Sequence, residues 1–104
     1  MSEIKQGDIL QLEKPSIYIL VLSKDFFNQS GFIIACPVAA NTFPDALHIP
    51  VSTEKYSGKA LLEHLRSLDI RSRLYRHIGS LPFDQIREIS DAVQSIFEYY
   101  PLSL

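Results

Sequence analysis

The sequence predicts a mainly β protein: a small, strongly bent antiparallel sheet or barrel of about five to seven strands, capped by one C-terminal helix. Short apolar or alternating runs recur along the chain between turn-forming residues. One amphipathic helical pattern follows them near the end. Apolar residues make up 46% of the 104 residues, which is enough for a single core. We therefore expect residues 1–104 to form one domain.

The first half of the chain predicts three strands. Residues 9–13 alternate between apolar and polar side chains from the second position onward, as in a half-buried strand. Residues 17–22 are continuously apolar and mostly β-branched or aromatic, which favours a strand buried on both faces. The Lys-Pro-Ser segment at 14–16 predicts a tight connection between them. After a loop at 23–31, residues 32–38 form a second buried run that we expect to pair with 17–22 as a hairpin.

The second half predicts shorter strands with less regular patterns. Residues 46–51 read as a strand that Pro50 confines to the edge of the sheet, and residues 52–58 read as a loop. Residues 59–68 read as the fifth strand, with a bend or bulge near Ser67 and Leu68. Residues 69–73 either continue that strand or turn, and residues 75–78 form a last short strand closed by Gly79.

The helix is predicted over residues 82–100. Pro82 suits a first helical turn, Asp84 and Glu88 favour its positive end, and Pro101 stops it. Its apolar face, which is expected to pack on the core or on a partner, consists of Ile86, Ile89, Val93, Ile96, Phe97 and Tyr100.

Composition excludes several classes of protein. The net charge of −2 argues against a surface broadly coated by nucleic acid, although basic residues concentrate in a local patch. A single cysteine, Cys36, allows no internal disulfide, and its apolar surroundings indicate a buried side chain rather than a nucleophile. We expect neither a signal peptide nor a membrane span, and we expect a cytoplasmic protein without a metal or cofactor. His48 is isolated on its strand, so we expect a surface or internally satisfied residue and not a metal ligand.

Residues 61–73, LLEHLRSLDIRSR, set charged side chains into an apolar frame. Alternation over 68–71 predicts one face in the core and one face outside. Such a face either contacts a phosphodiester or is simply solvated, and the second alternative is the more common. The charged and polar side chains are Glu63, His64, Arg66, Asp69, Arg71 and Arg73.

This stretch contains the groups that metal-free RNA cleavage requires. The reaction needs a base for the 2′-hydroxyl, an acid for the leaving oxygen and a cation for the charged phosphorane. Glu63 or His64 could serve as the base, and Arg66 or Arg73 as the cation. No zinc-binding HExxH, glycine-rich phosphate loop or Gly-x-Ser-x-Gly elbow is present in the sequence.

The order of several short segments resembles the MazF/PemK (Kid) toxin family. These segments are a Gly-Asp-Ile start at 7–9, Val-Leu-Ser at 21–23, the loop residue Asn28, Ile-Ala-Cys-Pro-Val at 34–38 and Leu-Arg-Ser-Leu-Asp at 65–69. The resemblance implies an SH3-like barrel, a homodimer, metal-independent cleavage of single-stranded RNA, and inhibition by an antitoxin protein. On this basis we expect catalysis by Glu63, His64 and Arg66, and RNA binding by Lys14, Asn28, Asp69, Arg71 and Arg73.

The sequence departs from the family pattern at two positions that usually act on the phosphate. Ile17 and Tyr18 stand where the family has Arg-Pro, and Ala39 stands where it has threonine. A non-catalytic member that binds an antitoxin peptide or RNA therefore remains an alternative. A gyrase poison like CcdB is a third, based on fold analogy alone. Phe26, Phe27 and Phe43 add to the aromatic residues that predict a dimer interface.

Overall fold

A computed structural model describes residues 3–43 and 45–97. Within them the sheet has seven strands, all paired antiparallel. The strands are β1 (Asp8–Glu13), β2 (Ser16–Val21), β3 (Phe32–Ala39), β4 (His48–Ser52), β5 (Ser57–Leu61), β6 (Arg66–Asp69) and β7 (Tyr75–Ser80). The helices are α1 (Asp25–Asn28) and α2 (Phe83–Ile96), with a 3-10 turn at Leu62–His64.

The sheet curls into a half-barrel around its longest strand, β3. The strand order is β4-β5-β3-β2-β1-β7, and β6 pairs with β3 beside this path. β2 occupies one side of β3, while β5 and β6 follow each other along its other side. The prediction of a small antiparallel barrel with a C-terminal helix is confirmed. The position of β4 at the end of the sheet also confirms that Pro50 lies in an edge strand.

Both faces of the central strands are buried, which explains the continuous apolar run of β2. Ile19 and Val21 belong to a cluster on one face of the sheet. Leu20 between them belongs to a second cluster on the other face, and Ile89 of α2 completes that cluster at 1% exposure. The helix therefore covers one face, whereas the curl of the sheet closes over the other.

The helix begins one residue later than predicted. Pro82 has an extended backbone and precedes the first helical residue, and Asp84 lies in the first turn as expected. α2 ends at Ile96 within the described residues. Tyr100 and Pro101, which entered the prediction, lie outside the described residues.

The prediction of one strand over residues 59–68 is wrong. Ala60 pairs with Val38, and Arg66 pairs with Ala35. The chain therefore advances six residues from β5 to β6 while the facing strand β3 advances only three. The surplus residues form the 3-10 turn, which is anchored by the fully buried Leu62. Ser67 and Leu68, where a bend was expected, pair regularly with β3.

Other boundaries also differ from the predictions. The loop predicted at 23–31 contains the short helix α1, and β4 begins at His48 rather than at residue 46. The loop predicted at 52–58 is a tight hairpin, because Ser52 pairs with Ser57. β7 continues through Gly79 to Ser80. No helix among the described residues is long and apolar enough to cross a membrane.

Candidate functional site

The 3-10 turn lifts two of the predicted catalytic residues out of the sheet. Leu62 points inward, while Glu63 and His64 are exposed. The neighbouring edge strand β4 contributes His48, which pairs with Leu61 just before the turn. His48 was expected to be at the surface or internally satisfied, and it is the latter: its side chain is only 3% exposed.

The Glu63 carboxylate lies between two imidazole rings. Its Oε2 is 2.7 Å from Nε2 of His48 and 3.8 Å from Nε2 of His64. The side chain of His64 is 60% exposed, whereas that of Glu63 is 37% exposed. We name this arrangement of His48, Glu63 and His64 the histidine–glutamate cluster. It places one imidazole in solvent and the other inside the fold, with the carboxylate between them.

Hydrogen bonding shifts the pKa values of His48 and Glu63 in opposite directions. The bond to Glu63, followed by the bond to the Phe43 carbonyl, raises the pKa of His48 above its usual value despite its burial. The bond from His48 lowers the pKa of Glu63. Both shifts favour the ionised forms of His48 and Glu63, and Glu63 is a weaker base than a free carboxylate.

Arg66 and the predicted binding residues follow along β6 and its outgoing loop. Arg66 is the exposed first residue of β6. Arg71 forms a bidentate pair with Asp69, with Nε and Nη2 each 3.0 Å from a carboxylate oxygen. Its guanidinium carbon lies 5.0 Å from the centre of the Phe32 ring. This pair lowers the pKa of Asp69 and raises that of Arg71, chiefly through the hydrogen bonds.

Two grooves collect most of the predicted binding residues. The larger, of about 880 Å³, is lined by Asn28, Arg71 and Arg73 among others. The smaller, of about 400 Å³, is lined by Lys14 and Arg73. Arg73 therefore connects the two grooves. Each groove is lined by one more basic than acidic side chain, and we call them the basic grooves.

Neither basic groove is lined by Glu63, His64 or Arg66. Within one chain, the structure thus separates the predicted catalytic residues from Arg71 and Arg73. β6 connects the two sets, since it begins at Arg66 and ends at Asp69, two residues before Arg71.

Asn28 uses its side chain inside the fold. It is buried, and its amide donates to the carbonyls of Ile4 at 3.0 Å and Ser23 at 3.1 Å. Its side-chain oxygen accepts a hydrogen bond from the Ser23 hydroxyl. Asn28 therefore ties α1 to the N-terminal segment, and its polar atoms face inward rather than into the groove.

A stacked aromatic pair lies next to Ile17, which stands where the family pattern has its arginine. Tyr18 stacks on Tyr56 with ring centres 4.3 Å apart and planes 24° apart. The Tyr56 hydroxyl donates to the Val38 carbonyl at 3.3 Å, and burial raises the Tyr56 pKa. Ile17 is 38% exposed, and Ala39 is partly buried.

The remaining chemistry-bearing residues are structural. Cys36 is fully buried, as predicted, and burial raises its pKa to about 12, so its thiol is protonated at neutral pH. The described residues contain no group of three or more histidine, cysteine or acidic side chains that could hold a metal ion.

Sequence analysis missed His48 as part of the site. His48 was expected to be a surface or internally satisfied residue, and no contact with Glu63 was predicted. Glu63 lies fifteen residues away along the chain, and only the pairing of β4 with β5 brings the two side chains together. The signal in the sequence was a histidine in a predicted edge strand, because such a strand could pair with the strand that leads into the charged residues 61–73.

Comparisons with known proteins identify the family and the fold of this chain. Residues 5–97 match the family model described as PemK-like, MazF-like toxin of type II toxin-antitoxin system. A chain of the MazE-MazF complex (Form-I) from Deinococcus radiodurans is 27% identical, with a TM-score of 0.84, 93% of this chain covered and 98% of that chain. MazF (Form-I) from the same organism is 26% identical, with a TM-score of 0.81 and the same two coverages.

More distant structures share the fold alone. An endoribonuclease in complex with its cognate antitoxin, from a mycobacterial species, is 11% identical with a TM-score of 0.79. The match covers 94% of this chain and 99% of that one. No curated protein matches the sequence. Because the family model spans nearly the whole sequence, the chain belongs to the family of PemK-like and MazF-like toxins of type II toxin–antitoxin systems.

Proposed function

We propose that this toxin cleaves single-stranded RNA with side chains alone, and that an antitoxin protein restrains it. Family membership supports the toxin role. The catalytic proposal rests on the histidine–glutamate cluster. In it the exposed imidazole of His64 lies 3.8 Å from the Glu63 carboxylate, which is itself bound by the buried His48 ring.

His64 is the proton-transfer group in this proposal. Histidine is the side chain that most readily takes up and releases a proton near neutral pH. Glu63 is less suited, because its pKa is lowered and its Oε2 is held by His48. With Nε2 of His64 facing Glu63, Nδ1 is left to face the substrate. The 3.8 Å separation exceeds a hydrogen bond, and such contacts commonly tighten when substrate binds.

The reaction is a transesterification within the RNA. The ribose 2′-oxygen forms a bond to the adjacent phosphorus while the bond from phosphorus to the 5′-oxygen breaks. His64 accepts the 2′-hydroxyl proton, and the same proton is then available to the departing 5′-oxygen. Arg66, two residues along the chain, stabilises the extra negative charge on the phosphorane. The products are a cyclic phosphate and a free 5′-hydroxyl.

The RNA strand is proposed to continue along β6 toward the basic grooves. From Arg66 to Arg71 the chain spans at most roughly 17 Å at 3.3–3.4 Å per residue. Binding sites for single strands typically hold about 4–16 nucleotides, so one strand can contact both ends of β6. Lys14, Arg71 and Arg73 would hold its phosphates. Asp69 acts indirectly by orienting Arg71, and Asn28 receives no RNA contact because its amide is used internally.

A homodimer and an antitoxin complex complete the proposal. Several aromatic side chains are unusually exposed for a chain of this size, including Phe26 at 74%, Phe43 at 71% and Phe83 at 75%. Phe26 is one of the aromatic residues expected at a dimer interface, and its exposure supports a partner there. The MazE-MazF structures from Deinococcus radiodurans support a protein antitoxin as one such partner. Mass measurement at micromolar concentration tests the dimer, and a monomer would contradict it.

Cleavage of a mixed-sequence single-stranded RNA in the presence of a chelator tests the catalytic proposal. We expect His64→Ala to reduce the rate by about 10²–10⁴-fold, the usual contribution of proton transfer by a side chain. Arg66→Ala should cost about 10²–10³-fold, as for other groups that stabilise transition-state charge. The matched control is Arg87→Ala, which removes an exposed arginine of α2. No cleavage by the wild type, or equal rates in His64→Ala and Arg87→Ala, would refute it.

The stacked Tyr18 and Tyr56 favour a second candidate: a toxin that binds RNA or an antitoxin peptide without cutting RNA. Tyr18 follows Ile17, which stands where the family pattern has its phosphate-binding arginine. A binding assay separates the two proposals. RNA bound but recovered intact, with binding weakened by Tyr18→Ala and unaffected by His64→Ala, would favour the second.

A further inference from the structure

We propose that His48 is a positioning residue for the cleavage reaction: its buried imidazolium fixes the Glu63 carboxylate, which in turn holds the ring of His64. The inference rests on the proposed function, because it assigns proton transfer to His64. His48 itself is buried and does not touch the substrate.

The hydrogen-bond partners of His48 determine its protonation. Nδ1 lies 2.9 Å from the Phe43 carbonyl oxygen, which can only accept. Nε2 lies 2.7 Å from Oε2 of Glu63, an ionised carboxylate that also only accepts. Both ring nitrogens must therefore carry a proton. Thr42, whose hydroxyl is 3.2 Å from Nδ1, is then a second acceptor for the same N–H.

The surroundings of His48 are consistent with a cation at this place. Asp45 lies in the preceding loop, where its carboxylate accepts from the backbone N–H of Leu47 and adds a second negative charge near the ring. On the facing elements, the titratable groups near His48 and Glu63 are His64 on the 3-10 turn and the protonated Cys36 on β3. Lys59 of β5 pairs with Pro50, two residues along β4 from His48.

This arrangement connects three segments through one ring. The imidazolium binds the backbone before β4 at Phe43, belongs to β4 itself, and holds the 3-10 turn at Glu63. The Glu63 side chain extends from a short turn at 37% exposure, where the His48 ring and the Glu63 backbone N–H hold its carboxylate. A fixed carboxylate presents the same oxygen to His64 in every molecule, so the exposed ring has one defined partner to close on when RNA binds.

Nuclear magnetic resonance tests the charge and the restraint without relying on activity. In protein labelled with ¹⁵N-histidine, both ring nitrogens of His48 should give imidazolium shifts at pH 7. In His48→Gln, the carboxyl of Glu63 should titrate at higher pH than in the wild type, because the cation that lowers its pKa is gone. A neutral His48 ring, or an unchanged Glu63 titration in the variant, would overturn the inference.

Kinetics test the positioning role. We expect His48→Gln to lower kcat by about 10–100-fold with KM changed less than twofold, as for misplacement of a catalytic group. In a Glu63→Gln background, His48→Gln should have no additional effect, since His48 acts through Glu63. The control is His77→Gln, which removes an exposed histidine whose Nε2 lies 3.3 Å from Oδ1 of Asp8 on β1.

The outcomes separate the two proposals. Wild-type kcat in folded His48→Gln, or equal losses from that substitution with and without Glu63, would overturn the positioning role. If wild-type protein does not cleave RNA, the proposed function fails, and the resonance experiment still decides whether His48 is the cation that restrains Glu63. If His48→Gln does not fold, His48→Asn, which can retain a donor toward Phe43, takes its place in both assays.

Discussion

Gly31 has a left-handed backbone conformation and also lines the larger basic groove. Replacing it therefore tests both the backbone strain and the position of Arg71 in that groove. It lies between α1 and β3 with φ of +96°, a region that L side chains rarely adopt. A Cβ built there would lie 2.4 Å from Cδ of Arg71. Gly31→Ala therefore has two separable effects, a strained backbone and a displaced arginine.

The backbone effect has a calculable size. A left-handed conformation costs a non-glycine residue about 1–2 kcal/mol, and one kcal/mol lowers the Tm of a domain of this size by about 4–8 °C. We expect Gly31→Ala to lower the Tm by about 5–15 °C, measured by thermal unfolding. The matched control is Gln29→Ala, an exposed position with φ of −65°, where the change should be near zero.

A double-mutant comparison isolates the displaced arginine. Arg71→Ala removes the atoms that the new Cβ would meet, so Gly31→Ala should cost less stability in that background than in the wild type. An unchanged Tm for Gly31→Ala would refute the backbone argument. Equal losses in both backgrounds would show that Arg71 moves aside freely, and the steric argument would then be wrong.

Three further predictions concern charge, packing and RNA binding. The pair of His48 and Glu63 should stabilise the fold most between about pH 4.5 and 6.5. Its contribution is lost as pH rises through the raised pKa of His48, or falls through the lowered pKa of Glu63. Denaturant unfolding of the wild type and His48→Gln across pH measures this, and a difference independent of pH would contradict it. Ile89→Ala should destabilise the fold by about 2–5 kcal/mol in urea unfolding, because it empties the contact of α2 with the sheet. A loss below that of an average exposed substitution, about 0.5 kcal/mol, would refute that contact. Arg73→Ala should weaken RNA binding and flatten its dependence on salt by about 0.7 per lost phosphate contact, whereas Arg87→Ala should change neither. An identical salt dependence in all three proteins would remove Arg73 from the RNA path.

The architecture followed from sequence patterns because each pattern has a direct physical cause. The continuous apolar run of β2 required burial on both faces, and Ile19 and Leu20 indeed belong to different clusters. The spacing of Ile86, Ile89 and Val93 required a helix with one buried side, and α2 covers the second cluster. These are local signals, so a single sequence contains them.

Features that depend on register could not be predicted in the same way. The adjacent leucines at 61 and 62 broke the alternation, but nothing local showed that residues 62–64 were surplus to the pairing of β3. α1 is four residues long, too short for helical periodicity. The partnership of His48 with Glu63 depends on which residue of β5 faces His48, which is a property of the assembled sheet.

The 3-10 turn adds two exposed polar side chains to the barrel while the strands on either side still pair with β3. One of its residues, Leu62, is buried and the next two face outward, so a single short excursion supplies its own anchor. Removing its three residues would let β5 run directly into β6 along β3 and would leave His48 without the Glu63 carboxylate. The strands on either side pair with β3 without using these two exposed side chains, so both can be exchanged while the sheet keeps its register.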